Sequence, residues 1–175
     1  MFHLLSHTGG QGGESLLVDG LSAAKQLFHQ DRSAYFMLSR VGVYSHASGN
    51  EDVSIQPCNS FPVLSHNPRN GALVQIRWNN SDRAGINAKY ETIERWYEAA
   101  AKFNEILNAP ENQLWFQLKP GTPLIFDNWR VLHGRSQFTG KRRMAGGYIN
   151  RDDFISKFKL TNMSREEVLA ATVTG

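Results

Sequence analysis

PGTPLIFDNWRVLHGRSQFTGKRRMAGGY, residues 120–148, reads as strand, turn, strand, loop, strand. Pro120-Gly121 is a turn signal. Leu124, Ile125 and Phe126 form a short apolar run that closes at Asp127-Asn128 and suits a buried strand. Trp129, Val131 and His133 alternate with Arg130 and Leu132, so on a strand they share one face. Gly134 follows and lets backbone or ligand approach closely. Arg135, Lys141, Arg142 and Arg143 then place four cations within nine residues. A neutral imidazole at a strand end can hold a metal, and a fixed guanidinium on the next strand can hold a carboxylate. Two plainer readings stand beside this one. A strand histidine is often a hydrogen-bonded rim residue, and arginine clusters often face solvent.

Working outward, the chain has 175 residues, 41% of them hydrophobic and 20% charged, which is the composition of a globular domain with a core. A net charge of +3 with dispersed cations does not describe a nucleic-acid surface. The lone cysteine, Cys58, excludes an internal disulfide and suits a reducing compartment. No apolar run approaches the ~20 residues needed to span a membrane, and no targeting signal is legible. The expectation is therefore an intracellular protein, cytoplasmic or mitochondrial, with no nucleic-acid or membrane partner.

Phe2–Ser6 is a candidate strand, followed by a glycine-rich turn from His7 to Gly13 and a second strand over Ser15–Val18. The glycine loop lacks the Gly-Lys-Ser/Thr of a phosphate loop. Asp19 or Ser22 can cap a helix running to about Ser39. Val41–His46 reads as a strand, and Ala47–Pro57 as a mobile polar loop. Phe61–Leu64 and Ala72–Trp78 read as strands joined by the Asn67–Gly71 turn. The clearest helix is Lys89–Asn108, where Ile93, Trp96, Tyr97, Ala100, Phe103 and Leu107 recur at helical spacing. Leu114–Leu118 and Met144–Asn150 complete the strands. Arg151–Lys159 reads as helical, and Ser164-Arg-Glu-Glu is a capping box opening a last short helix. With no linker or repeat, the expectation is one domain over 1–175: a mainly β sandwich or barrel with outer helices.

The wording of several segments is specific. Asn-Trp-Arg-Val-Leu-His-Gly-Arg at 128–135, then Phe-Thr-Gly, an Arg, Gly-Tyr and Arg-Asp-Asp, resembles the trimethyllysine and γ-butyrobetaine dioxygenases. These are TauD/TfdA-like iron(II) and 2-oxoglutarate dependent hydroxylases of carnitine biosynthesis. The resemblance takes in FHLLSHTGGQGGESLLVDG, IRWNNSDRA, the helix around Glu94-Arg95-Trp96-Tyr97, and PENQLWFQLKPG. It is closer to the trimethyllysine enzymes. It implies a double-stranded β-helix, or jelly roll, of which this chain is expected to be the C-terminal portion, incomplete on its N-terminal side.

The resemblance also implies roles. Iron in this family is held by a His-x-Asp pair and a later histidine. His133 matches the later one, and the pair has no counterpart at the corresponding place. His29-Gln30-Asp31 has the right letters, but residues two apart on a helix diverge by about 200°, and the pair lies in the helix expected after Gly20. His3, His7, His46 and His66 lack a carboxylate two residues on and read as structural or exposed. Arg142 fits the family's Arg-x-x-x-Gly-x-Tyr, with Gly146 and Tyr148 following, and so would anchor the distal carboxylate of 2-oxoglutarate. Arg143 should face the other way. Ser15 would share that carboxylate, and Arg135 would either contact it or pair with Asp127. The substrate would be a small quaternary-ammonium amino acid, held against aromatic faces because such a cation cannot donate hydrogen bonds. Tyr148 matches a cage tyrosine of the butyrobetaine enzyme. Asn79 and Asn80 match amides that bind the substrate's carboxylate end, although a turn pair reads equally from the letters. Ascorbate is the expected reductant, and a homodimer is an open expectation. The competing readings are a γ-butyrobetaine hydroxylase, a truncated copy that keeps only the 2-oxoglutarate pocket, and another small-molecule binder of the jelly-roll class.

Overall fold

The computed structural model describes residues 1–48 and 51–172, so Gly49 and Asn50 of the expected mobile loop lie outside the described residues. The strands are β1 (Phe2–Thr8), β2 (Ser15–Asp19), β3 (Gly42–Ser45), β4 (Phe61–Pro62), β5 (Leu64–His66), β6 (Leu73–Ile76), β7 (Arg83–Asn87), β8 (Gln113–Phe116), β9 (Pro123–Leu124), β10 (Val131–Arg135) and β11 (Lys141–Gly146). The helices are α1 (Gly20–Gln30), α2 (Arg32–Arg40), α3 (Tyr90–Asn108), α4 (Arg151–Asn162) and α5 (Arg165–Ala170). The strands form small antiparallel sheets in the orders β11-β1-β9, β10-β2-β8, β4-β3-β7 and β5-β6. Along the chain β1, β2, β8, β9, β10 and β11 move back and forth between the first two sheets. β10 and β11 therefore follow one another in sequence without pairing.

Helices α1, α2 and α3 back the second sheet. Leu16, Val18 and Leu132 alternate onto one face of β2 and β10 and pack on a core of Ala23, Leu27, Leu38, Trp96 and Phe103. On α3, Trp96, Ala99, Ala100, Phe103, Ile106 and Leu107 repeat at three and four and are all buried. That helix stops at Ala109 because Pro110 disfavours helical backbone in the residue before it.

The single helix expected after Asp19 is two helices. Asp19 caps α1 by accepting from the Leu21 and Ser22 N–H groups. The chain then breaks at Asp31, whose extended backbone ends α1 and whose carboxylate caps α2 by accepting from Ala34 N–H at 2.9 Å. A carboxylate that can cap a new helix competes with continuation of the old one. The strand expected over Trp129–His133 starts only at Val131. The Asp127 carboxylate accepts from Trp129 N–H at 3.0 Å and the Asp127 carbonyl from Val131 N–H at 2.8 Å, which fold Trp129 and Arg130 into a turn. Ser164 and Glu167 form the capping box that opens α5.

Candidate functional site

The alternation of β10 decides which side chains look away from the helical core. Leu132 faces it, so Val131, His133 and Arg135 face the other way. Across the ladder Leu17 stands opposite His133 and Ser15 opposite Arg135. In the first sheet Met144 pairs with the buried Leu4, and Arg142 lies two residues before it, on the same face of β11. A bulge between Leu4 and Ser6 keeps His7 opposite Arg142 and Ser6 opposite Arg143. Arg143 is exposed and alternates outward; Arg142 is half-buried.

His133 sits between rings drawn from distant parts of the chain. Its centroid lies 5.3 Å from that of Phe2 and 5.1 Å from that of Phe126. These contacts join the two sheets. Burial against the rings pushes the imidazole pKa down, opposed by a backbone hydrogen bond at Val131. His133 keeps an exposed edge and is neutral near pH 7, the form that coordinates metals. We expect an NMR titration of its ring protons to give a midpoint below the ordinary value of about 6.5. Phe126→Ala should move that midpoint upward. Because the folded chain binds this proton less tightly than the unfolded chain, stability should fall as pH drops below about 6.5 and level off below the folded-state pKa. A midpoint unchanged by Phe126→Ala would overturn the desolvation account.

Arg142 is placed by a clamp of two loops. Gly13 N–H donates to Gln137 O at 3.0 Å, Thr139 N–H to Gln11 O at 3.0 Å, and Gln11 N–H to the Thr139 hydroxyl at 3.0 Å. A side chain on Gly12 would meet Gln137 O at 2.3 Å, and its φ of +79° also calls for glycine. Gly13, at φ +75°, leaves room for Arg142, whose Nε lies 3.5 Å from where a Cβ would stand. The clamp holds Phe138 against both guanidiniums, with Arg135 Cζ 4.4 Å and Arg142 Cζ 5.8 Å from its centroid. Ser15 joins them from β2, only 8% exposed.

This cluster has positive charge without a counter-charge. The ion pairs among the described residues are Lys102–Asp31, Arg130–Asp19 and Arg151–Asp127. Asp127 is thus committed to Arg151, and the expected alternative of an Arg135–Asp127 pair is not formed. Arg142 Nε is buried with no partner among the described residues. Burial, then the charge of Arg135, lowers the Arg142 pKa from its usual value, and a guanidinium remains protonated at neutral pH. Two forks and a hydroxyl around one orphaned donor fit a carboxylate.

A metal fares differently. Among the described residues no group of three His, Cys, Asp or Glu side chains could hold an ion. His133 is one imidazole donor, and the described residues do not by themselves make an iron centre. Asp31 is taken by Lys102 and by the cap of α2, which removes His29-Gln30-Asp31 as a ligand pair. His3 accepts from Gly121 N–H, His7 bonds Thr139 O, His46 bonds Ser48, and His66 bonds Tyr35.

The remaining candidates lie elsewhere. Tyr148 follows the end of β11 and is 78% exposed. Asn79 spends its side chain on a turn, donating to Asp82 at 2.7 Å and accepting from Ser81 N–H at 3.0 Å. Asn79 and the exposed Asn80 line a separate cleft of about 300 Å³. The sequence reads Phe2 and Phe126 as strand residues and Phe138 as part of the Phe-Thr-Gly segment, none of them as a site residue. Only Phe138 left a local signal, as the aromatic residue in the loop between His133 and Arg142.

The sequence profile described as "Taurine catabolism dioxygenase TauD, TfdA family" matches residues 1–148. A trimethyllysine dioxygenase of Neurospora crassa is 55% identical over 166 residues, covering 94% of this chain and 35% of the relative. One from Meyerozyma guilliermondii is 44% identical over 173 residues, covering 98% and 43%. A gamma-butyrobetaine dioxygenase of Homo sapiens is more distant, 30% identical over 156 residues, covering 85% and 40%. The chain thus spans less than half the length of each of these relatives.

Proposed function

The chain belongs to the TauD/TfdA dioxygenase family, and from that premise we propose that its protein is an iron(II) and 2-oxoglutarate dependent hydroxylase of N6-trimethyllysine in carnitine biosynthesis. The observation that carries this reading is the half-buried Arg142, with an orphaned Nε, beside Arg135 and the buried Ser15. The strands that pass between two facing sheets are then the core of a double-stranded β-helix, with the site between the sheets.

In this reading Arg142 holds the distal carboxylate of 2-oxoglutarate through parallel hydrogen bonds, as a lysine point charge cannot. Arg135 adds positive potential, and Ser15 supplies a hydroxyl. His133 would contribute a neutral imidazole to ferrous iron. The family's His-x-Asp pair would complete the ligand set, and no residue described here fills that role. Bound iron and 2-oxoglutarate together supply the oxidising chemistry: 2-oxoglutarate, dioxygen and substrate become succinate, carbon dioxide and hydroxylated substrate. The protein's part is to fix orientation and keep Phe2 and Phe126 around the imidazole. Tyr148 offers its ring to the quaternary ammonium, and Asn80 offers an amide to the substrate. Ascorbate would serve as the reductant, and the protein would work inside the cell, in cytoplasm or mitochondria. No helix among the described residues is long and apolar enough to cross a membrane.

The test is succinate release from 2-oxoglutarate by the protein that carries this chain. N6-trimethyllysine should stimulate it at least tenfold more than γ-butyrobetaine does, and His133→Ala should abolish the stimulation. Equal stimulation by both compounds, or release indifferent to His133, would defeat the assignment.

A further inference from the structure

Helix α4 stands apart from the helical core. None of its residues is buried, and its main neighbour is the short helix α5. Its first residue is tied down, with Arg151 donating to Asp127 at 2.7 Å. A helix of 12 residues is near the length below which isolated helices are marginal in water, so tertiary packing normally holds one in place. Phe154, Ile155 and Phe158 lie three and four apart and form one stripe along it. Phe154 is 57% exposed and Phe158 54%. Two large rings in one exposed stripe mark a contact surface, unlike a single scattered apolar residue.

The charges beside the stripe say what kind of partner it fits. One flank carries Asp153 and then Lys157, and the other Asp152 and then Lys159. Both flanks therefore run from acid at the N-terminal end to lysine at the C-terminal end. Among the described residues none of these four is in an ion pair, Asp153 and Lys157 included, although they are four apart. The order suits the helix's own macrodipole. It also makes the helix complementary to an inverted copy of itself. Laid antiparallel about a two-fold axis near Ser156, Phe154 meets the partner's Phe158, Asp153 faces the partner's Lys157, and Asp152 faces the partner's Lys159. A parallel pair would set opposite flanks together in the same direction, acid against acid and lysine against lysine.

We propose that α4 is a self-association surface, through which two copies of the protein pair antiparallel about a two-fold axis. The contact is isologous and closes on itself, because each copy offers the same stripe. The rings supply the attraction, and the flanking charges fix the direction. The inference stands apart from the proposed function, since no residue of α4 belongs to the site around Arg142 and His133.

The experiment is sedimentation equilibrium of the protein that carries this chain, over a range of concentrations. The wild-type protein should dimerise. Phe158→Ser should raise the dimer dissociation constant by about a hundredfold or more, because both copies lose a ring from the contact. Asp153→Lys should raise it about tenfold, because two ion pairs become two repulsions. Adding Lys157→Asp to Asp153→Lys should restore the dimer, because each pair re-forms with its signs exchanged. General damage to the helix would not be repaired in this way. The substituted side chains are exposed, so circular dichroism should show an unchanged fold. Tighter association in Asp153→Lys is the mark of a parallel pair and overturns the proposed arrangement. A dimer indifferent to both Phe158→Ser and Asp153→Lys overturns the surface itself. So does a wild-type protein that stays monomeric, and strong hydrogen-exchange protection of α4 in that monomer would assign the stripe to another segment of the same protein.

Discussion

Arg142→Gln is expected to weaken binding of 2-oxoglutarate by about a hundredfold or more, read by calorimetric titration of the chain with 2-oxoglutarate. The size follows from losing two charge-assisted hydrogen bonds, each worth about 1.5–3 kcal/mol. Arg142→Lys keeps a charge but not the fork and should lose roughly tenfold. Arg135 stacks on Phe138 from an exposed position, so Arg135→Gln should cost less than Arg142→Gln. The ordering discriminates between causes. A long-range potential would make the two arginines interchangeable, whereas direct capture of a carboxylate makes Arg142 dominant. Undiminished affinity in Arg142→Gln would mean that its orphaned Nε serves no dicarboxylate.

The second large effect concerns the helical core that backs the site. Phe103 is fully buried and meets Trp78 edge-on at 5.2 Å. Phe103→Ala removes a ring from close-packed surroundings that only partly relax, at a cost of about 3–5 kcal/mol. Native domains are stable by only about 5–15 kcal/mol, so the urea midpoint should fall sharply or the chain should fail to fold. Phe103→Leu keeps more of the volume and should cost clearly less. Equal midpoints for Phe103→Ala and the wild-type chain would contradict this packing.

What could be read from the letters was local periodicity. The 3.6-residue repeat of α3 and the two-residue alternation of Val131 and His133 needed no knowledge of distant partners. The same holds for the capping box at Ser164. Two of the misreadings share a physical source: a short polar side chain that bonds nearby backbone and diverts the chain. Asp31 turns one helix into two, and Asp127 folds Trp129 out of the strand that alternation assigned it. The pair Asn79-Asn80 shows the same ambiguity, with Asn79 engaged as a turn former.

The site was legible as a set of residue types but not as an arrangement. Arg142 and Ser15 entered through the resemblance. Nothing local could say that Phe138 would lie under both guanidiniums, because that needs the Gly9–Gly13 loop to meet Ser136–Gly140 from the other end of the chain. The expectation that Arg142 stands on the strand after that of His133 was also a local inference. Their strands follow one another in sequence but belong to different sheets, β10-β2-β8 and β11-β1-β9.

The pairing of Phe2 with Gly146 has a consequence for biogenesis. On a ribosome adding about 5–20 residues per second, β1 emerges on the order of ten seconds before its main partner exists. Helices α1 to α3 can collapse in that interval, but the sheet that carries Arg142 cannot close until the last strand is released from the exit tunnel. A chaperone that shields an orphan β-segment during this wait should raise the yield of native protein more than one that acts after release.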